Sequence, residues 1–398
     1  MLPWKQPGLA APHPLHAMMA RAGSFPPALA RYFVQAYSQP GDIVLDPFCG
    51  RGTAVLEAIL CGRQAIGSDI APDAVACTRA KVTSVSFDEV SDYIDTLSYR
   101  RYALSAVPAD VKVFYHPRTL SRLLCVRDHL QADLESAVPA RQTPAMFVMG
   151  CMLGILHGHA SYSLSLSCSH VFAMAAGYVR NYAGREGLSA PLRDVRESLR
   201  TKARIMLKNG PVPRGRATVN ERSAEEYSLD DGSLCNQVSL VVTSPPYLNA
   251  QTYAKDAWLR LWLLGYDYRD IRSGYLHTGS VSTYGEKMKP CLRGMLRVLK
   301  PQSHAFVVAG DVFVRRGERK VAVRTAELLA EIAEQLDPID GHRFNVEDII
   351  RDSIPSHRRC YSAVHKDANA HWDEEGNGTG VRVDRILHLR KVAAFPGG

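Results

Sequence analysis

The chain has 398 residues, 46% hydrophobic and 22% charged, and its 48 Lys and Arg against 40 Asp and Glu give a formal net charge of +8. This composition excludes a disordered, collagen-like or disulfide-scaffold chain, and the length suits one large domain with an insertion or two domains. The basic balance is compatible with a polyanionic partner, and with neither a bilayer-spanning apolar run nor a secretory signal in view, a soluble, cytoplasmic protein with no membrane partner is expected.

The opening "MLPWKQPGLAAPHP" is proline-rich and reads as extended, after which "SFPPALARYFVQAYS" gives a turn and an amphipathic helix. "GDIVLDPFCGRGTAVLEAILCGRQAIGSDIAPDAVACTRAK" then reads as strand, glycine loop, helix, strand, acidic end and helix, which is a parallel β-α-β unit. Residues 83–214 change character: "RTLSRLLCVRDHLQADL", "PAMFVMGCMLGILHGHA" and "LRDVRESLRTKARIMLK" carry helical periodicity, so this stretch is expected to be a helical insertion. Strand character returns in "VSLVVTSPPY", followed by helices at about 252–265 and 284–300 and a buried strand in "SHAFVVAGDVF". A helix at about 320–336 and strands in "FNVEDIIRDSIP" and "VRVDRILHLRK" close the sheet, with an exposed polar loop at 356–380 between the last two. The expected fold is therefore α/β, a doubly wound and mostly parallel Rossmann-like sheet, with residues 1–82 and 215–398 forming the main domain.

Nine cysteines are scattered, odd in number and never spaced as CxxC, so reduced thiols are expected and no metal site. His157 and His159 in "GILHGHA" have no third ligand in the pattern, which favours helix-end packing or nucleic-acid contact over a metal pair.

"VLDPFCGRGT" ends a buried strand and opens a helix, leaving backbone N–H groups free to meet a ligand, with Gly50 and Gly52 letting it approach the main chain. A dinucleotide site is excluded by spacing, because GxGxxG is absent. Asp46 sits at one strand end where a cationic amino group can pair with it, and Asp69 at the next, where ribose hydroxyls are held in doubly wound folds. A ligand with an ammonium group and a ribose but no pyrophosphate suits both acids.

"DPFCGRGT", "IGSDI" and the later "TSPPY" together resemble the amino-group DNA methyltransferases, over roughly residues 13–81 and 216–311. The resemblance implies S-adenosylmethionine as cofactor, double-stranded DNA as substrate, and methylation of exocyclic N4 of cytosine or N6 of adenine, by an enzyme either with a cognate restriction endonuclease as partner or of orphan type. It makes Pro47, Phe48, Gly50, Gly52 and Thr53 the cofactor loop, Asp46 the partner of the methionine end and Asp69 the ribose acid. Phe25 in "SFPP" is similar to the segment that completes the methionine pocket, though a plain helix-entry turn reads equally well. In this family the region between the two motifs often reads the target, so 83–214 is the candidate recognition region; a scaffold with solvated charges is the other reading. The residue contacting the cofactor adenine is not marked, with Glu221 and Glu225 as candidates in "VNERSAEEY".

The amine of a base is a poor nucleophile because its lone pair is delocalised into the ring. A carbonyl from Pro245 and the oxygen of Ser244 can accept its two hydrogens while Tyr247 stacks on the extruded base. Pro245 and Pro246 lock the turn without adding a competing N–H. Ser at 244 is typical of the N4-cytosine members of the family and Asp of the adenine members, so cytosine N4 is the expected target. Pro290-Cys291 resembles the nucleophile of the C5 enzymes but falls in a helical pattern. An RNA amino-methyltransferase or an inactive cofactor-binding, DNA-binding subunit are the competing readings.

Overall fold

A computed structural model describes residues 2–6, 11–21, 23–136, 138–168, 175–229, 232–248, 253–271, 274, 278–316, 319–355 and 381–394. The continuous apolar run "VSLVVT" forms β4 (Val238–Thr243), buried at every position, as a central parallel strand must be when both faces are covered. It lies between β1 (Ile43–Asp46) and β5 (Leu299–Gly310), and β2 (Gln64–Asp69) and β3 (Ala217–Glu221) extend the sheet beyond β1. All these pairs are parallel. The other edge is an antiparallel hairpin, β8 (His342–Pro355) and β9 (Val381–Ala393), giving seven strands in the order β3-β2-β1-β4-β5-β9-β8. A separate two-stranded ribbon pairs β6 (Val312–Arg316) with β7 (Arg319–Val323). This is a doubly wound, mostly parallel α/β sheet. The strand order reverses between β1 and β4, which opens the ligand crevice at their carboxyl ends.

Helix α1 (Pro27–Tyr37) starts on a proline, α2 (Thr53–Leu60) on the glycine loop, and α3 (Pro72–Val82) two residues past β2. The insertion supplies α4 (Phe87–Thr96), α5 (Ala109–Lys112), α6 (Pro117–Glu135), α7 (Pro139–Ile155), α8 (Ala176–Glu186) and α9 (Val195–Met206). Ser86 and Glu89 close a capping box on α4, which fixes where that helix begins. After β4 come α10 (Tyr253–Asp256), α11 (Trp258–Leu264), α12 (Tyr268–Ile271) and α13 (Val281–Val298), and α14 (Thr325–Glu334) follows the ribbon.

Residues 83–214 are helical among the described residues, as the periodicity predicts. They share one hydrophobic core with a face of the sheet: Met18, Phe33, Val55, Leu123, Phe147 and Leu199 pack in the same cluster as Leu240 and Phe306. Alternate residues Leu45 and Val241 point to the opposite face, where Tyr284, Leu292, Met295 and Leu329 cover them. Helix α7 reaches its neighbours through glycines: a Cβ on Gly150 would collide with Ala80, and one on Gly154 with the Met18 carbonyl.

Two expectations are corrected. The helix expected from about 320 begins only at Thr325, because Arg319–Val323 pairs with Val312–Arg316. β3 was not anticipated: its polar sequence "ATVNE" carries only one buried residue. The loop expected at 356–380 lies outside the described residues.

Candidate active site

Asp46 and Thr243 are the last residues of adjacent parallel strands, and Thr243 Oγ1 donates to Asp46 Oδ1 at 2.6 Å. The Phe48 N–H donates to the same oxygen at 3.2 Å. Burial of this carboxyl raises its pKa to about 7, against the pull of the two hydrogen bonds and with some repulsion from Asp69. The group is thus poised to titrate near neutrality.

Asp69, at the end of β2, accepts from the Gly50 N–H at 2.8 Å and from the Ala71 N–H at 2.9 Å. It is reachable from the cavity but otherwise enclosed, and this enclosure raises its pKa, countered first by the charge of Arg21 and then by the two N–H groups. Gly50 and Gly52 both have positive φ, +50° and +72°, which a side chain would resist. A Cβ at Gly52 would also sit 2.6 Å from Thr78 Cγ2, so this glycine serves close packing on α3.

The crevice holds a cavity of about 310 Å³. Phe25, Asp46, Pro47, Phe48, Gly50, Thr53 and Asp69 line it, and so do Ser244 and Pro246. Gly52 stands behind the lining, against Thr78, and Pro245 and Tyr247 are also outside it, the first buried and the second half-buried. Ser244 Oγ donates to the Val308 carbonyl at 3.0 Å, which commits its proton to β5. Tyr284 OH donates to the Pro246 carbonyl at 3.1 Å and so pins the proline turn from α13. Thr53 Oγ1 is buried at the loop with no hydrogen-bond partner, an open polar position in the wall of the cavity. With one acid at the end of β1 and the other at the end of β2, on either side of the glycine loop in space, these residues fit a ligand that carries both a cationic group and hydroxyls.

Some lining residues carried no motif. Arg21 and Ser24 come from the segment before α1, and Arg222, Ser223, Ala224 and Glu225 follow β3, so of the two acids considered there it is Glu225 that reaches the cavity. Thr283, Lys287 and Cys291 repeat at four-residue spacing on one face of α13. The spacing is visible in the sequence, but which face it turns inward depends on β4 and β5. Cys291 donates to the Lys287 carbonyl within the helix, and burial pushes its thiol up to about 12, so it stays protonated and is no nucleophile. His157 Nδ1 lies 2.7 Å from Ser165 Oγ and His159 Nδ1 2.9 Å from Ser167 Oγ. Among the described residues no group of three or more His, Cys, Asp or Glu side chains could hold a metal ion, and no helix is long and apolar enough to cross a membrane.

Residues 12–80 match the family model described as DNA methylase. The chain is similar to the type II methyltransferase M.MjaII of Methanocaldococcus jannaschii, 35% identical over 74 residues, which is 19% of this chain and 14% of that protein. It is also similar to the type II methyltransferase M.MthZI of Methanothermobacter thermautotrophicus, 27% identical over 120 residues, 26% of this chain and 34% of that protein. The similarity thus spans well under half the length of these two relatives. Among solved structures, TrmN from Thermus thermophilus aligns with 95% of this chain and 52% of its own at 13% identity and a TM-score of 0.33. The segment 12–80, which holds the glycine loop and both acidic strand ends, is thus similar to a DNA methylase domain.

Proposed function

We propose that the protein methylates the exocyclic N4 amino group of cytosine in double-stranded DNA, using S-adenosylmethionine. The observation that carries this reading is the bond from Ser244 Oγ to the Val308 carbonyl. With its proton held by β5, the Ser244 oxygen can only accept toward the cavity it lines. An amine whose N–H groups are held by acceptors has its lone pair localised and directed, which is what an exocyclic nitrogen needs in order to attack.

When bound, S-adenosylmethionine supplies an electrophilic methyl group on a sulfonium. Asp46 would pair with the amino group of its methionine end, Asp69 would accept from the ribose hydroxyls, and Thr53 Oγ1 would gain a partner. Phe25, Pro47 and Phe48 give the apolar walls that exclude water, and Gly50 and Gly52 keep the loop close. On the base side, Ser244 Oγ and the Pro245 carbonyl accept the two amine hydrogens. Pro246, held by Tyr284, fixes the turn, and Tyr247 stacks on the extruded base. Residues 83–214 serve as target-recognition region, a reading supported by the exposed Arg100, Arg101, Lys112 and Arg118, and a restriction endonuclease of the same specificity is the expected partner.

The test is to incubate the purified protein with labelled cofactor and unmethylated genomic DNA, digest to nucleosides and identify the product by mass spectrometry. N4-methylcytosine is expected. N6-methyladenine would replace the target base, label confined to RNA would replace the substrate, and no label with intact cofactor binding would reduce the protein to a DNA-binding subunit.

A further inference from the structure

Lys81 is the single lysine of α3 and is wholly buried, a rare place for an ammonium group. Its Nζ donates to the carbonyl of Arg51 at 2.5 Å. One turn earlier, Thr78 Oγ1 donates to the carbonyl of Gly50 at 3.0 Å. Two consecutive carbonyls of the glycine loop are therefore held from below by one helix, while the Gly50 N–H is held from above by Asp69. The surroundings give the ammonium little other reason to be there. Cys77 on the same helix, Cys49 and Arg51 in the loop, Lys202 from α9 and His16 from the turn Pro14–Ala17 face it, and none is a carboxylate. Burial and the like charges pull its pKa down to about 8.

A buried charge with a single carbonyl as its partner costs stability unless the held geometry is useful. The loop it holds is the one whose main chain must meet the ligand. We propose that Lys81 is a positioning residue for the cofactor loop: with Thr78 it clamps the Gly50 and Arg51 carbonyls onto α3, so the loop is set for the cofactor before the cofactor arrives. The inference rests on the reading of the cavity as the S-adenosylmethionine site. Pre-organisation of this kind lowers the ordering cost of binding, so its loss weakens affinity while every group that touches the ligand stays in place.

The test uses the full chain and two variants, Lys81→Met and Thr78→Val, each close in shape to the residue replaced. Affinity for S-adenosylmethionine and for S-adenosylhomocysteine is measured by calorimetry, and thermal unfolding is followed without ligand. Removing the ammonium relieves a buried charge but takes the donor from the Arg51 carbonyl, two effects of opposite sign on stability, whereas the loss of a clamp acts on binding alone, so the two readouts separate. Lys81→Met should unfold close to the wild-type temperature and bind both ligands about tenfold or more weakly, because the loop must then be ordered at the expense of binding. Thr78→Val should weaken binding severalfold. If Lys81→Met binds like the wild type, or if its stability and affinity fall together while Thr78→Val binds normally, Lys81 is packing and the proposal is wrong. Should Lys81→Met fail to fold, the Thr78→Val result decides, and wild-type affinity in that variant overturns the clamp. A wild-type protein that binds neither ligand would instead reject the cofactor site itself.

Discussion

Thr243 Oγ1 stands 2.6 Å from Asp46 Oδ1, so the residue that immediately precedes Ser244 holds the acid that opens the glycine loop. The donor lowers the pKa of a carboxyl that burial otherwise raises. Thr243→Val keeps the shape and removes the donor. Asp46 should then be more fully protonated at pH 7, and affinity for S-adenosylmethionine should fall about tenfold or more, the worth of one hydrogen bond to a charged group. Calorimetry at pH 7 measures it, and an unchanged affinity would separate Asp46 from the ligand.

The pH dependence follows from the same acid. Its folded pKa of about 7 lies above the ordinary 3.8, so its proton favours the ligand-free fold below about pH 4, and that contribution is lost as pH rises through 7. A cationic ligand group selects the ionised form, so binding has the opposite slope. Affinity should weaken about tenfold for each unit below pH 7. In Asp46→Asn the slope over this window should vanish, and a variant that kept it would assign the titration to another group.

If Asp69 accepts from ribose hydroxyls as proposed, Asp69→Ala should weaken cofactor binding by about 1.5 to 3 kcal/mol, the worth of hydrogen bonds to a charged acceptor. It also frees the N–H groups of Gly50 and Ala71. Amide exchange at Gly50 should therefore speed up in the ligand-free variant, a change that a pure contact residue would not produce.

Ser244→Ala should lower kcat roughly a hundredfold, the lower range for a group that acts on the reacting nitrogen, with cofactor affinity near normal. Tyr284→Phe removes only the hydroxyl that holds the Pro246 carbonyl, so a smaller loss in kcat with wild-type stability is expected. Single-turnover kinetics on a duplex substrate separates both effects from product release.

Arg100 and Arg118 are exposed on the helical segment. If they neutralise phosphates, replacing both by Gln should weaken binding to every duplex alike and flatten the slope of log K against log salt by about one unit for each phosphate left without its arginine. A slope unchanged in both replacements would make this part of the segment scaffold.

What could be read from the sequence was what the backbone itself demands. The glycines at 50 and 52, the acids at two strand ends and the paired prolines at 245 and 246 each need a particular backbone path, and a path leaves a local signature. β3 was hidden because an edge strand with one buried position lacks the apolar run that marks a central one. The ribbon before α14 was hidden for a related reason: five residues of "RKVAV" are too few to set a period against the helix that follows. Arg21, Lys287 and Lys81 gave no signal because their roles depend on which chain segments meet, not on their neighbours in sequence.

The glycines of α7 bear on how such a protein could change its target. Gly150 and Gly154 bring that helix so close to Ala80 and Met18 that not even a methyl group fits between them. The wall that carries Thr78 and Lys81 is thus welded to the helical segment, and a transplant of residues 83–214 from a relative would have to bring α3 and the Met18 turn with it. If residues 83–214 read the target, as proposed, new sequence preferences should arise instead by substitution at exposed positions such as Arg100 and Arg185, which belong neither to this seam nor to the lining of the cavity.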